Sequence, residues 1–256
     1  MKNTLRKTLL GLALSLFTSL AAHSAILYQQ DFSSYPNVTS ASTVGWSYST
    51  TYGNDTWGII QDQGTGSGNM LFAINGWTHA LTTPFSGNET QIVVQSLIFP
   101  QVGSASAGLF SQNFSAFNGT ANWAGFGPQM TFSGGNFSLQ QSGNAGGASS
   151  VSVAVSGVTV QNAIFSMVID VTTGLANGYF GSPSGTLLVS GFDLKGSQTL
   201  SQFQTDLYAN GNFGVISNQG LFDDITVSAV PEPSTFAMLM LGMGSLTFAF
   251  RRRRSA

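Results

Sequence analysis

Between Ile26 and Val230 this chain of 256 residues has one basic side chain, Lys195. The same stretch carries nine acids: Asp31, Asp55, Asp62, Glu89, Asp170, Asp193, Asp206, Asp223 and Asp224. One positive charge against nine negative charges gives −8, whereas the whole chain reads −2 because both ends are basic. A surface with one lysine cannot neutralise a row of phosphates, which excludes nucleic acid as a partner. Anionic lipid headgroups are unsuitable for the same reason. Cysteine is absent altogether, so there are no disulfides, no thiolate nucleophile and no zinc-thiolate site. A domain of this length buries enough core to stand without disulfides.

Histidine and glutamate are almost as scarce. His79 is the one histidine beyond the N-terminal leader, too few for a histidine metal cluster. Its surroundings, "NGWTHALTT", hold no Gly-x-Ser-x-Gly elbow that would make it part of a triad. It reads as an ordinary strand residue. Glu89 is the one glutamate between Ile26 and Val230, and "SGNET" places it in a turn as a solvated acid. A glycosidase needs two carboxylates facing one bond, and no spacing here proposes such a pair. The glycine-rich "SGNAGGASS" (142–150) has neither the basic residue nor the following helix of a phosphate cradle. It reads as a loop.

The beginning is more informative. "MKNTLRKTLLGLALSLFTSLAAHSA" has Lys2, Arg6 and Lys7, an apolar run from Leu9 to Leu20, and then small residues. That order is a secretory signal peptide over residues 1–24, with cleavage expected near Ser24 and Ala25. The alternative is an uncleaved membrane helix, for which the apolar run is short.

The middle, 25–229, reads as one all-β domain. Short apolar bursts alternate with Gly/Asn/Ser clusters: "ILYQQDF" (26–32), "NMLFAI" (69–74), "TQIVVQSLIF" (90–99), "VSVAVSGVTV" (151–160), "AIFSMVIDV" (163–171), "GTLLVS" (185–190) and "LFDDITVS" (221–228). Several have period 2 and are rich in β-branched residues, which predicts a two-sheet sandwich or jelly roll. In "TLSQFQTDLYAN" (199–210), Leu200, Phe203, Leu207 and Tyr208 fall at helical spacing, so a short helix is expected there. Trp46, Tyr48, Tyr52, Trp57, Trp77 and Trp123 crowd the first half. Such rings fill sandwich cores or stack on sugars. Tyr52 and Trp57, in the loop-like "TTYGNDTWG", are the candidates for carbohydrate stacking.

"LYQQDFSSYP" at the start and "FGVISNQGLFDDITVS" at the finish resemble the concanavalin A-like lectin/glucanase jelly rolls of secreted bacterial proteins. That resemblance implies that the first and last strands pair. It also implies a structural calcium nearby, with Asp31, Asp223 and Asp224 as candidate ligands. Strand alternation puts Asp223 on one face with Leu221, Ile225 and Val227, where a carboxylate must be hydrogen-bonded, paired or metal-bound. The Glu-x-Asp-x-x-Glu string of the glucanases is missing.

The chain ends "VPEPSTFAMLMLGMGSLTFAFRRRRSA". Residues 234–250 are uncharged and long enough for a short transmembrane helix. Arg251, Arg252, Arg253 and Arg254 follow as a cytoplasmic anchor. Residues 230–256, with Pro231, Glu232 and Pro233 before the helix, resemble the PEP-CTERM sorting signal of Gram-negative bacteria; the bland alternative is a plain membrane anchor. The resemblance implies an exosortase as processing partner, cutting near Pro231–Pro233 after transient residence in the inner membrane. It also implies a cell-surface or biofilm-matrix location beside exopolysaccharide. These features predict a non-catalytic structural or polysaccharide-binding protein, with a polysaccharide hydrolase or lyase on the same fold as the alternative.

Overall fold

The structure is a computed structural model, which describes residues 25–37, 39–40, 45–48, 58–62, 68–74, 77–79, 85–110, 126–141, 149–196, 199–209 and 212–231. The chain divides into two compact units: Ile26–Ala229, and the two ends, Met1–Ala25 with Val230–Ala256. Every buried core side chain among the described residues belongs to the larger unit.

The described strands are β1 (Ala25–Gln30), β2 (Thr39–Ser40), β3 (Ser47–Tyr48), β4 (Gly58–Asp62), β5 (Asn69–Ile74), β6 (Trp77–His79), β7 (Glu89–Phe110), β8 (Phe126–Ser133), β9 (Asn136–Gln141), β10 (Ser149–Ala154), β11 (Ile164–Asp170), β12 (Leu175–Phe180), β13 (Thr186–Asp193) and β14 (Asn212–Pro231). Among the described residues one α-helix, α1 (Leu200–Ala209), covers the segment where helical spacing is expected. It buries Phe203 and Leu207. Every apolar burst in the sequence contains a strand. Two boundaries differ from expectation. "VSVAVSGVTV" is extended only as far as Ala154, then turns. β7 runs on to Phe110 through "GSASAGLF", a stretch too poor in large residues to read as a strand. It stays extended because β8 lies close: a Cβ on Gly108 would meet the Pro128 carbonyl oxygen at 2.4 Å.

Long strands join two layers. The first half of β7 pairs antiparallel with β11, which continues through β12 to β13. The second half pairs with β8, followed by β9 and β10, while β14, β5, β4 and β2 extend the sheet on the other side of β7. The two layers face each other across a core rich in phenylalanine. Phe165 of β11 stacks on Phe137 of β9 at 5.0 Å and lies 5.1 Å from Phe132 of β8. This is the expected two-sheet sandwich. As the resemblance implies, β1 pairs with β14. Trp46 is core: it is buried against Phe32 and meets Phe213 edge-on. Among the described residues no helix is long and apolar enough to cross a membrane; the expected helix at 234–250 lies outside them.

Candidate functional site

The terminal strands bring together the three aspartates singled out by sequence. After β1 the chain turns at Asp31, whose Oδ1 accepts from the Ser33 N–H at 2.8 Å. This points the Phe32 N–H at Asp223 on β14, whose Oδ1 accepts it at 3.2 Å. Asp223 is buried, as are Leu221, Ile225 and Val227, and so is Phe222 beside it. Asp224 beside it has φ 47°, a left-handed backbone that Asp and Asn adopt more readily than other residues with a Cβ. Burial pushes the Asp223 carboxyl up to about 6, and the charges of Asp224 and Asp31 add to the rise. Burial, then Asp31, raises Asp224 as well.

These carboxyls feel one another but do not form a ligand set. Among the described residues no three His, Cys, Asp or Glu are placed to hold a metal ion. The carboxylates of Asp31, Asp223 and Asp224 alone do not make the expected calcium site. Asp223 serves instead as a buried acceptor joining the first and last strands.

Glu89 also differs from expectation. It opens β7 and is buried, not solvated. Oε1 accepts from the Ser86 N–H at 2.6 Å and the Ser86 hydroxyl at 2.7 Å, while Oε2 accepts from the Gly87 N–H at 2.9 Å. Burial raises this carboxyl, but the hydrogen bonds outweigh it and hold the group below the usual glutamate value. "SGNE" is thus a closed turn capped by its own glutamate. The Tyr208 hydroxyl donates to the Glu89 carbonyl at 2.9 Å and so fastens α1 to the turn. His79 is a strand residue paired with Phe213. Ala25 is the first residue of β1 and Pro231 the last of β14. Tyr52, Trp57, Ser24, Glu232, Pro233 and Arg251–Arg254 lie outside the described residues.

A feature that no motif announces emerges from strand register. From Thr90 to Ile169 the chain has no charged side chain and no histidine. Much of that stretch forms the face of β7–β10 that points away from the core. Pairing aligns Ser106, Thr131, Ser138 and Ser152 in one row across four strands. The next row holds Gly108, Gln129, Gln140 and Ser150. Their neighbours Ala105, Ala107, Met130, Phe132, Phe137 and Leu139 fill the core on the opposite face. Within the rows, the Ser106 and Thr131 hydroxyls lie 2.8 Å apart, Ser138 donates to Ser152 at 3.0 Å, and the Gln129 amide donates to Gln140 Oε1 at 3.0 Å. Ser106, Thr131 and Gln129 are buried, whereas Ser150 and Ser152 are exposed. The alternation of "VSVAVS" hinted at one strand of this face. The alignment of four strands is a tertiary fact. Chemically, its accessible part, Ser138, Gln140, Ser150 and Ser152, offers hydroxyl and amide hydrogen bonds and no acid or base.

Residues 229–254 match the PEP-CTERM protein-sorting motif. The chain ends in that sorting signal. No curated protein matches the chain in sequence. Similar solved structures include the carbohydrate-binding module CBM66 from Bacillus subtilis, at 13% identity over 72% of this chain and 94% of that one, with a TM-score of 0.41. An endo-1,3-β-glucanase from Streptomyces sioyaensis is 12% identical over 81% of this chain and 97% of that one, at a TM-score of 0.47. The laminarinase catalytic domain from Thermotoga petrophila RKU-1 is 10% identical over 82% and 99%, at 0.44. Likenesses this distant bear on neither ligand nor activity.

Proposed function

We propose that this protein, carrying a PEP-CTERM sorting signal, is exported, processed by an exosortase and placed at the cell surface or in the extracellular matrix. There it binds an uncharged polysaccharide without cleaving it. The observation that carries this reading is the polar, charge-free face of β7–β10. Hydroxyl and amide groups in register match the hydroxyls of a neutral glycan. Glycoside cleavage asks for two opposed carboxylates, and the strands of this face have none beyond Glu89, which its own turn engages.

Retention of the mature domain on neutral polysaccharides embedded in native gels tests the proposal. Retardation should persist in 1 M salt, roughly ten times the ionic strength at which exposed ion pairs are already largely screened. Ser138→Val combined with Gln140→Ala removes partly exposed hydrogen-bonding groups from two rows and should weaken retardation at least fivefold. New reducing ends in the polysaccharide would instead establish the hydrolase reading. Chain cleavage with new unsaturated ends would establish the lyase reading.

A further inference from the structure

The other layer carries a different surface. Its register aligns Gln95 of β7, Ser166 of β11, Tyr179 of β12 and Leu187 of β13 in one row on the face away from the core. The adjacent row holds Val93, Val168 and Asn177. Tyr28, Tyr35 and Tyr208 pack against the hydrophobic core, but Tyr179 is not among the side chains that do so. Leu187, its cross-strand neighbour, is 51% exposed. Ser166, between Gln95 and Tyr179, is completely buried although both neighbours are partly exposed.

Hydrogen bonds tie side chains of this face into the layer. The Ser166 hydroxyl donates to the Gly181 carbonyl at 2.6 Å and lies 3.4 Å from Gln95 Oε1. Asn177 Oδ1 accepts from the Gly191 N–H at 2.8 Å. The Asn177 oxygen is thus engaged within the protein, while the one Ser166 hydroxyl proton goes to Gly181 and not to Gln95. The result is a partly exposed tyrosine on the outward face, beside two amide side chains, with no charge in either row.

We propose that this face is a second glycan-binding surface, in which a neutral pyranose ring stacks on Tyr179 and its hydroxyls hydrogen-bond with the Gln95 and Asn177 amides. The inference rests on the polysaccharide-binding reading of the protein but places a site on the opposite layer. An aromatic face covers the apolar side of a sugar ring while amides satisfy its hydroxyls. Two strand spacings, about 10 Å, separate Gln95 from Tyr179 and suit a short oligosaccharide. Charge argues against a second copy as the occupant, since each domain brings a net −8 of its own and like-charged surfaces repel. A domain with glycan surfaces on both layers would link two polysaccharide chains.

The test uses the mature domain in native gels containing a soluble β-1,3-glucan, galactomannan or amylopectin. Tyr179→Ala should lose at least fivefold of the retardation, and Tyr179→Phe, which keeps the ring, should retain most of it. Gln95→Ala reports on the same face if Tyr179→Ala fails to fold, and should weaken retardation about twofold or more. Retardation of the parent with Tyr179→Ala and Gln95→Ala both unchanged would overturn this surface and leave the β7–β10 face standing. No retardation of the parent by any of the polysaccharides would overturn both readings. Self-association abolished by Tyr179→Ala would overturn the glycan assignment and make the face a protein interface.

Discussion

Asp223 is the residue whose chemistry depends most on where the fold places it. Its folded pKa of about 6 lies above the unfolded value of about 3.9, so between them the folded state holds the proton more tightly. The contribution to stability is therefore full below about pH 4 and is lost as pH rises through about 6. Glu89 and Asp170, both held below their ordinary values, act with the opposite sign. Their stabilisation disappears as pH falls. The difference between variant and parent isolates Asp223. Asp223→Asn keeps an acceptor for the Phe32 N–H but cannot ionise. Its Tm relative to the parent should rise steadily from pH 4 to pH 7, and a flat difference would contradict the buried-acid account. Asp224→Asn should act in the same direction, because it removes a neighbouring negative charge and asparagine tolerates the left-handed backbone. Calcium or a chelator should leave the Tm of parent and variants unchanged.

Elements show where local pattern stops being sufficient. α1 was legible because Leu200, Phe203, Leu207 and Tyr208 report a helical face directly. β11 was legible from its β-branched and aromatic residues. The full length of β7 was not, since its second half is built of Gly, Ser and Ala, and small side chains state no period. They are small because a partner lies close, which is information held by β8. Gly178 on β12 makes the same point across the core. A Cβ there would meet a Phe137 ring atom at 2.5 Å, so the two layers approach closely at this position. Gly178→Ala should destabilise the domain by about 1–3 kcal/mol through overpacking, read as a fall in Tm or in urea midpoint. An unchanged midpoint would mean that the layers yield to the added methyl.

Across the full chain, the two ends and the domain between them are chemically distinct. Seven of eight basic residues lie in the two ends, and one lies between Ile26 and Val230. β14 reaches Pro231, the first residue of the Pro-Glu-Pro sequence, so the sorting signal begins where the last strand finishes. If the exosortase cuts near this point, mass spectrometry of the exported form should show a chain ending near Pro231–Pro233 without Arg251–Arg254. Intact arginines on the exported form would contradict processing.

The sequence alone settles the C-terminal sorting signal and the β class of the domain. These depend on composition and on order along the chain, both of which survive unfolding. It also marked Asp223 as a carboxylate on an apolar face, because period 2 is local. Only the tertiary structure decided what that carboxylate does: the Phe32 N–H that occupies it comes from 191 residues away. The same holds for the two candidate glycan faces. Serine and glutamine are unremarkable in any single strand of this chain, and Tyr179 sits in no motif. They become surfaces only when antiparallel register lays strands from distant parts of the sequence side by side.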